Sequence, residues 1–306
     1  MRKSMKVLSV VLSVIMMLIS FQLSSLAQFE SSAGSALLME ASTGKILYEK
    51  DADIAKPPAS ITKLMTLLLA FEAIEKGQAK WEDLVPISEK AWKMEGSRMF
   101  LEVGTKVPFR EIVTGISVVS ANDGCVALAE YLYGSEISFV QMMNNKAKEL
   151  GLTKTQFQNA SGLPADGHYM SARDIGLLTK HLIEKYPALL EIESMTQFTY
   201  NNILQYNRNP LLGRFPGADG LKTGWTYEAG YCLVGTAQQN GIRMIAVVLN
   251  ATSEDHRLQA AQELLNHGFK SFEFTDAVTA GDIVGTAEVE QGKEKTVSLK
   301  LDQSAR

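Results

Sequence analysis

Apolar positions change their spacing along the chain, and the spacing predicts the elements. Ala36-Leu-Leu-Met39 and Lys45-Ile-Leu-Tyr48 are strand-like runs joined by Ser42-Thr-Gly44, a hairpin over Ser35 to Glu49. From Ser60 to about Glu75 the pattern is helical, ended by Lys76-Gly77. This helix is apolar almost all round (Leu64, Met65, Leu67, Leu68, Leu69, Ala70, Phe71), which predicts a central, buried position. Helical periodicity returns at Phe109–Val119, Asp123–Leu132, Ile137–Leu150, Ala172–Glu184 and His256–His267. Gly220–Trp225, Gly230–Ala237 and Met244–Asn250 read as strands, with Asn240-Gly241 as a hairpin turn between the last two. Strands at both ends and helices between predict an antiparallel sheet built from the two ends of the chain, with a helical subdomain from the middle. Beyond about Phe274, Thr279-Ala-Gly-Asp-Ile-Val and Lys295-Thr-Val-Ser-Leu-Lys-Leu look like strands of a separate piece, too short to close a β domain. The expected division is a leader over 1–27, a main domain over 28–274 and an incomplete β domain over 275–306.

The leader comes from the first residues. Arg2, Lys3 and Lys6 precede an apolar stretch from about Val7 to Ile19, and Ser25-Leu26-Ala27 offers a small-x-small cleavage site. The run is short for a spanning helix, so a cleaved secretory signal is read in preference to a retained anchor. In either case the chain is expected on the outer side of the cytoplasmic membrane, in a periplasm or outside the cell. With 30 basic and 34 acidic residues the charge is mildly negative and mixed, which argues against nucleic acid or a highly acidic partner. Cys125 and Cys232 both sit in apolar surroundings and read as buried unpaired thiols, one disulfide being the alternative. The four histidines are scattered without a His-Glu-x-x-His, so zinc peptidase chemistry is not expected, and no Gly-x-Ser-x-Gly marks an α/β-hydrolase.

Three short clusters carry candidate chemistry. In Ser60-Ile-Thr-Lys63 a hydroxyl and an amine lie one helical turn apart, so a serine nucleophile gains a base without histidine. Lys63 must be neutral part of the time to act, which burial and a neighbouring cation promote; Lys222 is the expected neighbour. Taken alone, the tetrapeptide is common by chance, and Ser60 reads as a plain helix N-cap. Ser120-Ala-Asn122 lies on a short connection between two helical patterns, where Ser120 is placed to relay a proton and Asn122 to hold a substrate amide. The competing reading makes Asn122 or Asp123 a helix cap. In Lys222-Thr-Gly224, Lys222 offers charge, Thr223 a hydroxyl to an anion, and Gly224 a strand surface a ligand backbone can approach. The backbone N–H groups of Ser60 and Trp225 are candidates for an oxyanion hole. By itself, Lys-Thr-Gly is an ordinary strand-and-turn tripeptide.

In combination, the order and spacing of the three match the set known from penicillin-binding proteins and β-lactamases. The chain resembles the serine-type D-Ala-D-Ala carboxypeptidases of peptidase family S11, the low-molecular-mass penicillin-binding proteins. The resemblance runs from about Ala33 to Phe274. It includes Pro57-Pro-Ala-Ser-Ile-Thr-Lys-Leu-Met-Thr66, Ser120-Ala-Asn-Asp-Gly-Cys-Val-Ala127, Asn159-Ala-Ser-Gly-Leu-Pro164 and Asp219-Gly-Leu-Lys-Thr-Gly224. It implies an α/β (α+β) fold, a five-stranded antiparallel sheet flanked by helices plus a helical subdomain, followed by the start of a small β domain. It implies catalytic roles for Ser60, Lys63 and Ser120, and substrate-binding roles for Asn122, Lys222, Thr223 and Gly224. Arg208 in Asn-Arg-Asn is the implied holder of the substrate's terminal carboxylate, with Arg257 second; a surface ion pair is the other reading of each. The implied activity is removal of the last D-alanine from a peptidoglycan stem pentapeptide through an acyl-enzyme on Ser60, with β-lactams as covalent inhibitors and no metal or organic cofactor. The family often carries a complete β-rich domain and an amphipathic helix resting on the membrane, so peripheral membrane association is the corresponding expectation. Here the region after Phe274 is cut short without such a helix, as in a fragment or truncated product. Two alternatives stand beside this reading. A class A-like β-lactamase would use a Glu within Glu-x-x-x-Asn, and no Glu here has Asn four residues on. The other is a catalytically silent cell-wall-binding protein.

Overall fold

The computed structural model describes residues 29–273, 280–290 and 294–302. The leader read over 1–27 lies outside the described residues. A short N-terminal unit ends at Ser31, and one body begins at Ser32.

That body is built on a five-stranded sheet ordered β2-β1-β9-β8-β7, antiparallel throughout. Its strands are β1 (Ser35–Glu40), β2 (Ile46–Lys50), β7 (Ala218–Thr226), β8 (Gly230–Gln239) and β9 (Ile242–Ala251). The two chain ends meet where β1 pairs with β9, Ala36 opposite Val248 and Met39 opposite Ile245. Asn240 and Gly241 both take positive φ, +50° and +79°, in the two-residue turn between β8 and β9. Such turns match the twist of the strands they join.

Strand β1 is buried along its whole length rather than alternately. Adjacent residues explain this: Leu37 packs under Gly176 of one helix, and Leu38 under Gly268 of another. Successive side chains of a strand point to opposite faces, so both faces of the sheet are covered. The two helices are Ala172–Lys185 and Glu254–Ser271. Both begin at a serine, Ser171 and Ser253, whose side chain accepts an N–H from the first turn.

The helices number α1 (Lys63–Glu75), α2 (Glu89–Trp92), α3 (Phe109–Val118), α4 (Asn122–Tyr133), α5 (Glu136–Glu149), α6 (Ala172–Lys185), α7 (Leu189–Glu193) and α8 (Glu254–Ser271). Every residue of α1 from Lys63 to Ala73 is buried, as its all-round apolar sequence predicts. Its first turn differs from the expectation. Ala59–Thr62 is a separate 3₁₀ turn, and the α-helix starts at Lys63. Ser60 is therefore inside a tight turn and not the cap of an α-helix.

Several short elements escape the sequence pattern. They are α2, α7, the ladder β3–β4 (Leu84–Pro86 with Lys106–Pro108) and the hairpin β5–β6 (Gln197–Tyr200 with Ile203–Tyr206). At three to five residues, they are too brief to show a period. Near the C-terminus, β10 (Ile283–Glu288) and β11 (Thr296–Lys300) pair as an antiparallel hairpin; Thr279, where the first of these strands was expected to begin, lies outside the described residues.

Candidate active site

The 3₁₀ turn, the start of α4 and strand β7 converge on one cleft of about 880 Å³. Ser60, Ser120, Asn122, Arg208, Thr223, Gly224, Trp225 and Arg257 all line it. Lys63 and Lys222 do not. Both are buried, Lys63 fully and Lys222 to 2% exposure, directly behind that wall.

Close approach of β7 to the turn is set by glycine. A Cβ added at Gly224 would lie 2.9 Å from the Pro58 carbonyl oxygen and 3.1 Å from the Ser60 nitrogen. The Lys-Thr-Gly strand thus abuts the Ser-x-x-Lys turn with no room for a side chain between them.

Lys63 Nζ is held at three points. It stands 2.8 Å from Ser60 Oγ, 2.8 Å from Asn122 Oδ1 and 2.6 Å from the Ser161 carbonyl oxygen. Each of the last two is anchored in turn. Asn122 donates its amide to the Glu95 carbonyl at 2.7 Å. Its side chain is thereby committed to Lys63 and not to a helix cap; Ala121 occupies the cap position of α4. Asp123 accepts the N–H groups of Met99 and Leu101, which fixes the loop forming the adjoining wall. Ser161 sits in a loop folded around Asn159 Oδ1, which accepts N–H bonds from Ser161, Gly162 and Leu163. Thr66 of α1 ties the same loop down through the Ala160 carbonyl at 2.6 Å. Gly162 has φ +84°, and a Cβ there would lie 1.8 Å from the Ala59 carbonyl oxygen, so no other residue fits.

Two residues beside the nucleophile candidate hold strained backbones. Ala59 has φ +49° and Ser120 has φ +63°, a region L-residues with a Cβ rarely occupy. Strain of this kind persists where the surroundings impose it, and it gathers at functional sites. It turns Ser120 so that its Oγ is buried and without a hydrogen-bond partner, on the cleft wall.

Burial lowers Lys63 to about 8, and the Arg208 cation adds to the effect while the Asp123 carboxylate opposes it. The expected neighbour, Lys222, is lowered as well, first by burial and then by Lys63, a repulsion that acts on both cations. His168, unassigned by sequence, is lowered by burial to about 4. It is therefore neutral, accepting the Gln158 N–H at Nδ1 and meeting Thr62 Oγ1 at 2.8 Å with Nε2. Arg208 is exposed on the cleft rim. Arg257 is buried, stacked over Tyr231 at 5.7 Å, with its Nε unpartnered. Both cysteines are free and buried. The Ser161 carbonyl was missed as a partner because a backbone oxygen leaves no mark in a sequence; only the Asn159–Pro164 motif pointed near it.

The comparisons bear on this arrangement. The family model for peptidase S11, D-alanyl-D-alanine carboxypeptidase, matches residues 22–253. The chain belongs to this family. It is 41% identical over 282 residues to the D-alanyl-D-alanine carboxypeptidase DacF of Bacillus subtilis, covering 89% of this chain and 71% of that protein. Against DacA of Escherichia coli the identity is 38%, covering 89% and 69%. Among solved structures it is similar to a peptidoglycan synthesis regulatory factor, penicillin-binding protein 3 of Streptococcus pneumoniae, with a TM-score of 0.83, 35% identity and coverage of 90% and 85%. Penicillin-binding protein D2 of Listeria monocytogenes, solved in an ampicillin-bound form, matches with a TM-score of 0.73, 35% identity and coverage of 79% and 99%. The expected fold, a five-stranded antiparallel sheet with helices, is the one found in these penicillin-binding proteins. Among the described residues no helix is long and apolar enough to cross a membrane.

Proposed function

We propose that this S11 peptidase carries out the family's reaction, serine-type D-Ala-D-Ala carboxypeptidation, through an ester on Ser60 Oγ. The observation that carries the mechanism is the three-point setting of Lys63. Asn122 Oδ1 and the Ser161 oxygen are acceptors only. A neutral amine spends its two N–H bonds on them and turns its lone pair to the Ser60 hydroxyl, 2.8 Å away. The lowering of Lys63 to about 8 makes that neutral form accessible near physiological pH.

In this reading the Ser60 proton passes to Lys63 Nζ as Oγ bonds to the carbonyl carbon between the two D-alanines. The C–N bond then breaks, and the departing amine takes a proton through Ser120 or from Lys63. Water next attacks the ester, giving a proton to Lys63 as its oxygen bonds to carbon; the C–Oγ bond then breaks, and Lys63 returns that proton to Ser60 Oγ. The N–H groups of Ser60 and Trp225 are assigned to the oxyanion. Arg208 and Thr223 on the cleft wall, with Lys222 behind them, are assigned to the terminal carboxylate, and Asn122 borders the acyl amide. The substrate is a peptidoglycan stem peptide ending in D-Ala-D-Ala, and β-lactams form the same ester and leave slowly. Such a substrate requires an enzyme on the outer face of the cytoplasmic membrane or beyond, as the leader motif expects.

Mass spectrometry after benzylpenicillin tests this: one adduct per chain is expected, lost in Ser60→Ala. An adduct persisting in that variant removes Ser60 as nucleophile. Release of D-alanine from a stem pentapeptide separates this enzyme from a silent binding protein, and rapid steady-state turnover of nitrocefin would instead favour a β-lactamase. The relatives' names favour neither alternative.

A further inference from the structure

Behind Lys222 lies a carboxyl group that the reaction as described does not use. Glu193 ends the short helix α7 and is completely buried. Gly220, two residues before Lys222 on β7, faces α7: a Cβ there would be in ordinary contact, 3.5 Å from Glu193 Cβ and 3.7 Å from Leu190 Cδ2. Gly224, two residues after Lys222, meets the Ser60 turn. Gly220, Lys222 and Gly224 pair with every second residue of β8, Thr236, Val234 and Cys232, and Lys222 feels both Lys63 beside the Ser60 turn and Glu193 on α7. Neither carboxyl oxygen of Glu193 has a hydrogen-bond partner. Ser117 of α3 interacts with the same carboxyl, but outside good hydrogen-bonding geometry. Lys222 Nζ makes one long contact, 3.3 Å to the Thr223 carbonyl.

An isolated buried carboxylate is costly to keep, and so is an isolated buried ammonium; each lowers the cost of the other. The charged and titratable groups around Lys222 are Lys63 on α1, Cys125 on α4, Arg208 after β6 and Glu193 on α7. Cys125 is pushed up to about 12 by burial and is neutral, so Glu193 is the one source of negative charge among them. Lys63 has two carbonyl oxygens in hydrogen-bond contact and the Asp123 carboxylate farther off, whereas Lys222 has only its long contact to Thr223 and feels the Glu193 carboxyl at longer range, without a salt bridge.

We infer that Glu193 is a positioning residue that decides which of the two buried lysines carries the proton: its carboxylate holds the charge on Lys222, leaving Lys63 as the neutral amine beside Ser60. This rests on the reading of Ser60 and Lys63 given above. Burial acts against both charges, raising Glu193 and lowering Lys222, and their mutual attraction works against that burial. The pair titrates together rather than as two separate sites.

The test is the rate of Ser60 acylation by benzylpenicillin from pH 6 to 10, in the parent and in Glu193→Gln. Glutamine keeps the volume and removes the charge. Lys222 then loses its proton at lower pH, so the falling alkaline limb should move down by about one pH unit, a loss of about tenfold on that limb. Glu193→Asp keeps the charge and opens a small void; its limb should stay with the parent's. Superimposable limbs for the parent and Glu193→Gln overturn the inference. So does an equal displacement in Glu193→Asp, since packing rather than charge would then be what the position supplies. A third measurement needs no change at Glu193: nitrogen-15 lysine resonances of the parent, with Lys222 assigned by its loss in Lys222→Arg, should show an ammonium at pH 7. A neutral Lys222 there overturns the proposal even if Glu193→Gln does not fold. Should the parent form no adduct on Ser60, the reading of the reaction fails instead, and the resonance of Lys222 still decides the role of Glu193.

Discussion

The helix side and the strand side of the cleft each bury a lysine, and they settle its charge by different means. On the helix side Lys63 touches only neutral oxygens, at 2.6 to 2.8 Å, with the Asp123 carboxylate acting from farther off. On the strand side Lys222 has one long contact to a carbonyl and a carboxylate across from it. Neutral acceptors organise an amine without demanding that it be charged, while a buried opposite charge favours the cation. In the proposed reaction a base and an electrostatic anchor for an anion are built from one residue type, distinguished by what faces the nitrogen.

The largest effect should come from removing the amine on the helix side. Lys63→Met keeps the apolar stem and should lower acylation of Ser60 by about 10²- to 10⁴-fold, the usual worth of a general base. Because Lys63 is lowered to about 8, the parent's acylation should rise with pH through that region as the amine becomes neutral. A rate that is flat from pH 6.5 to 9 would remove Lys63 from the role of base.

Next comes a change that makes the helix side resemble the strand side. Asn122→Asp places a carboxylate at 2.8 Å from Lys63 Nζ, where an amide oxygen now sits. An adjacent opposite charge favours the ammonium, so the rising limb should move up by about one to three pH units. At pH 7 this costs about 10- to 1,000-fold in acylation. An unmoved limb would mean that the acceptor at Asn122 does not govern the charge of Lys63.

A smaller effect is expected from the contact between the two sides. In Gly224→Ala the new methyl meets the Pro58 oxygen and the Ser60 nitrogen, neither of which is a flexible side chain. Overpacking of this kind costs about 1 to 3 kcal/mol. Thermal unfolding should show that loss, along with a modest fall in acylation. An unchanged melting temperature would indicate that β7 moves away from the turn freely.

How much of this was legible in the sequence follows the same division. Long elements with a clear period were: α1, α3 to α6, α8 and strands β1, β2 and β7 to β9 appear within a few residues of their predicted bounds. The clusters that gather at the cleft were legible too, because Ser-x-x-Lys, Ser-x-Asn and Lys-Thr-Gly keep their spacing in the chain. What was not legible arises from groups without a side-chain signature or from contacts distant in sequence. The Ser161 carbonyl belongs to the first kind. Glu193 belongs to the second: α7 has five residues and no visible period, and nothing in Leu-Leu-Glu-Ile-Glu says that its last carboxyl is buried against β7. The pairing of Lys63 with Lys222 was legible in the sequence, but the carboxyl behind Lys222 was not, because α7 is distant from β7 in the chain.

The smallest effect on acylation, and the cleanest on stability, should come from His168. Its ring links Thr62 of the 3₁₀ turn to the Gln158 backbone, on the helix side of the cleft. Burial lowers it to about 4, against about 6.5 in an unfolded chain. Its folded form therefore resists protonation, and the unfolded chain binds the proton first. The contribution to stability is complete above about pH 6.5 and is lost as the pH falls through 4, by about 3 kcal/mol in all. His168→Gln removes this titration while leaving a polar group between Thr62 and the loop. Urea unfolding between pH 4 and 7 should show a steeper loss of stability in the parent than in the variant, with acylation at pH 7 little changed. Parallel curves would show that the ring is charged in the fold, and would require an acceptor for Nδ1–H where the Gln158 N–H donor now sits.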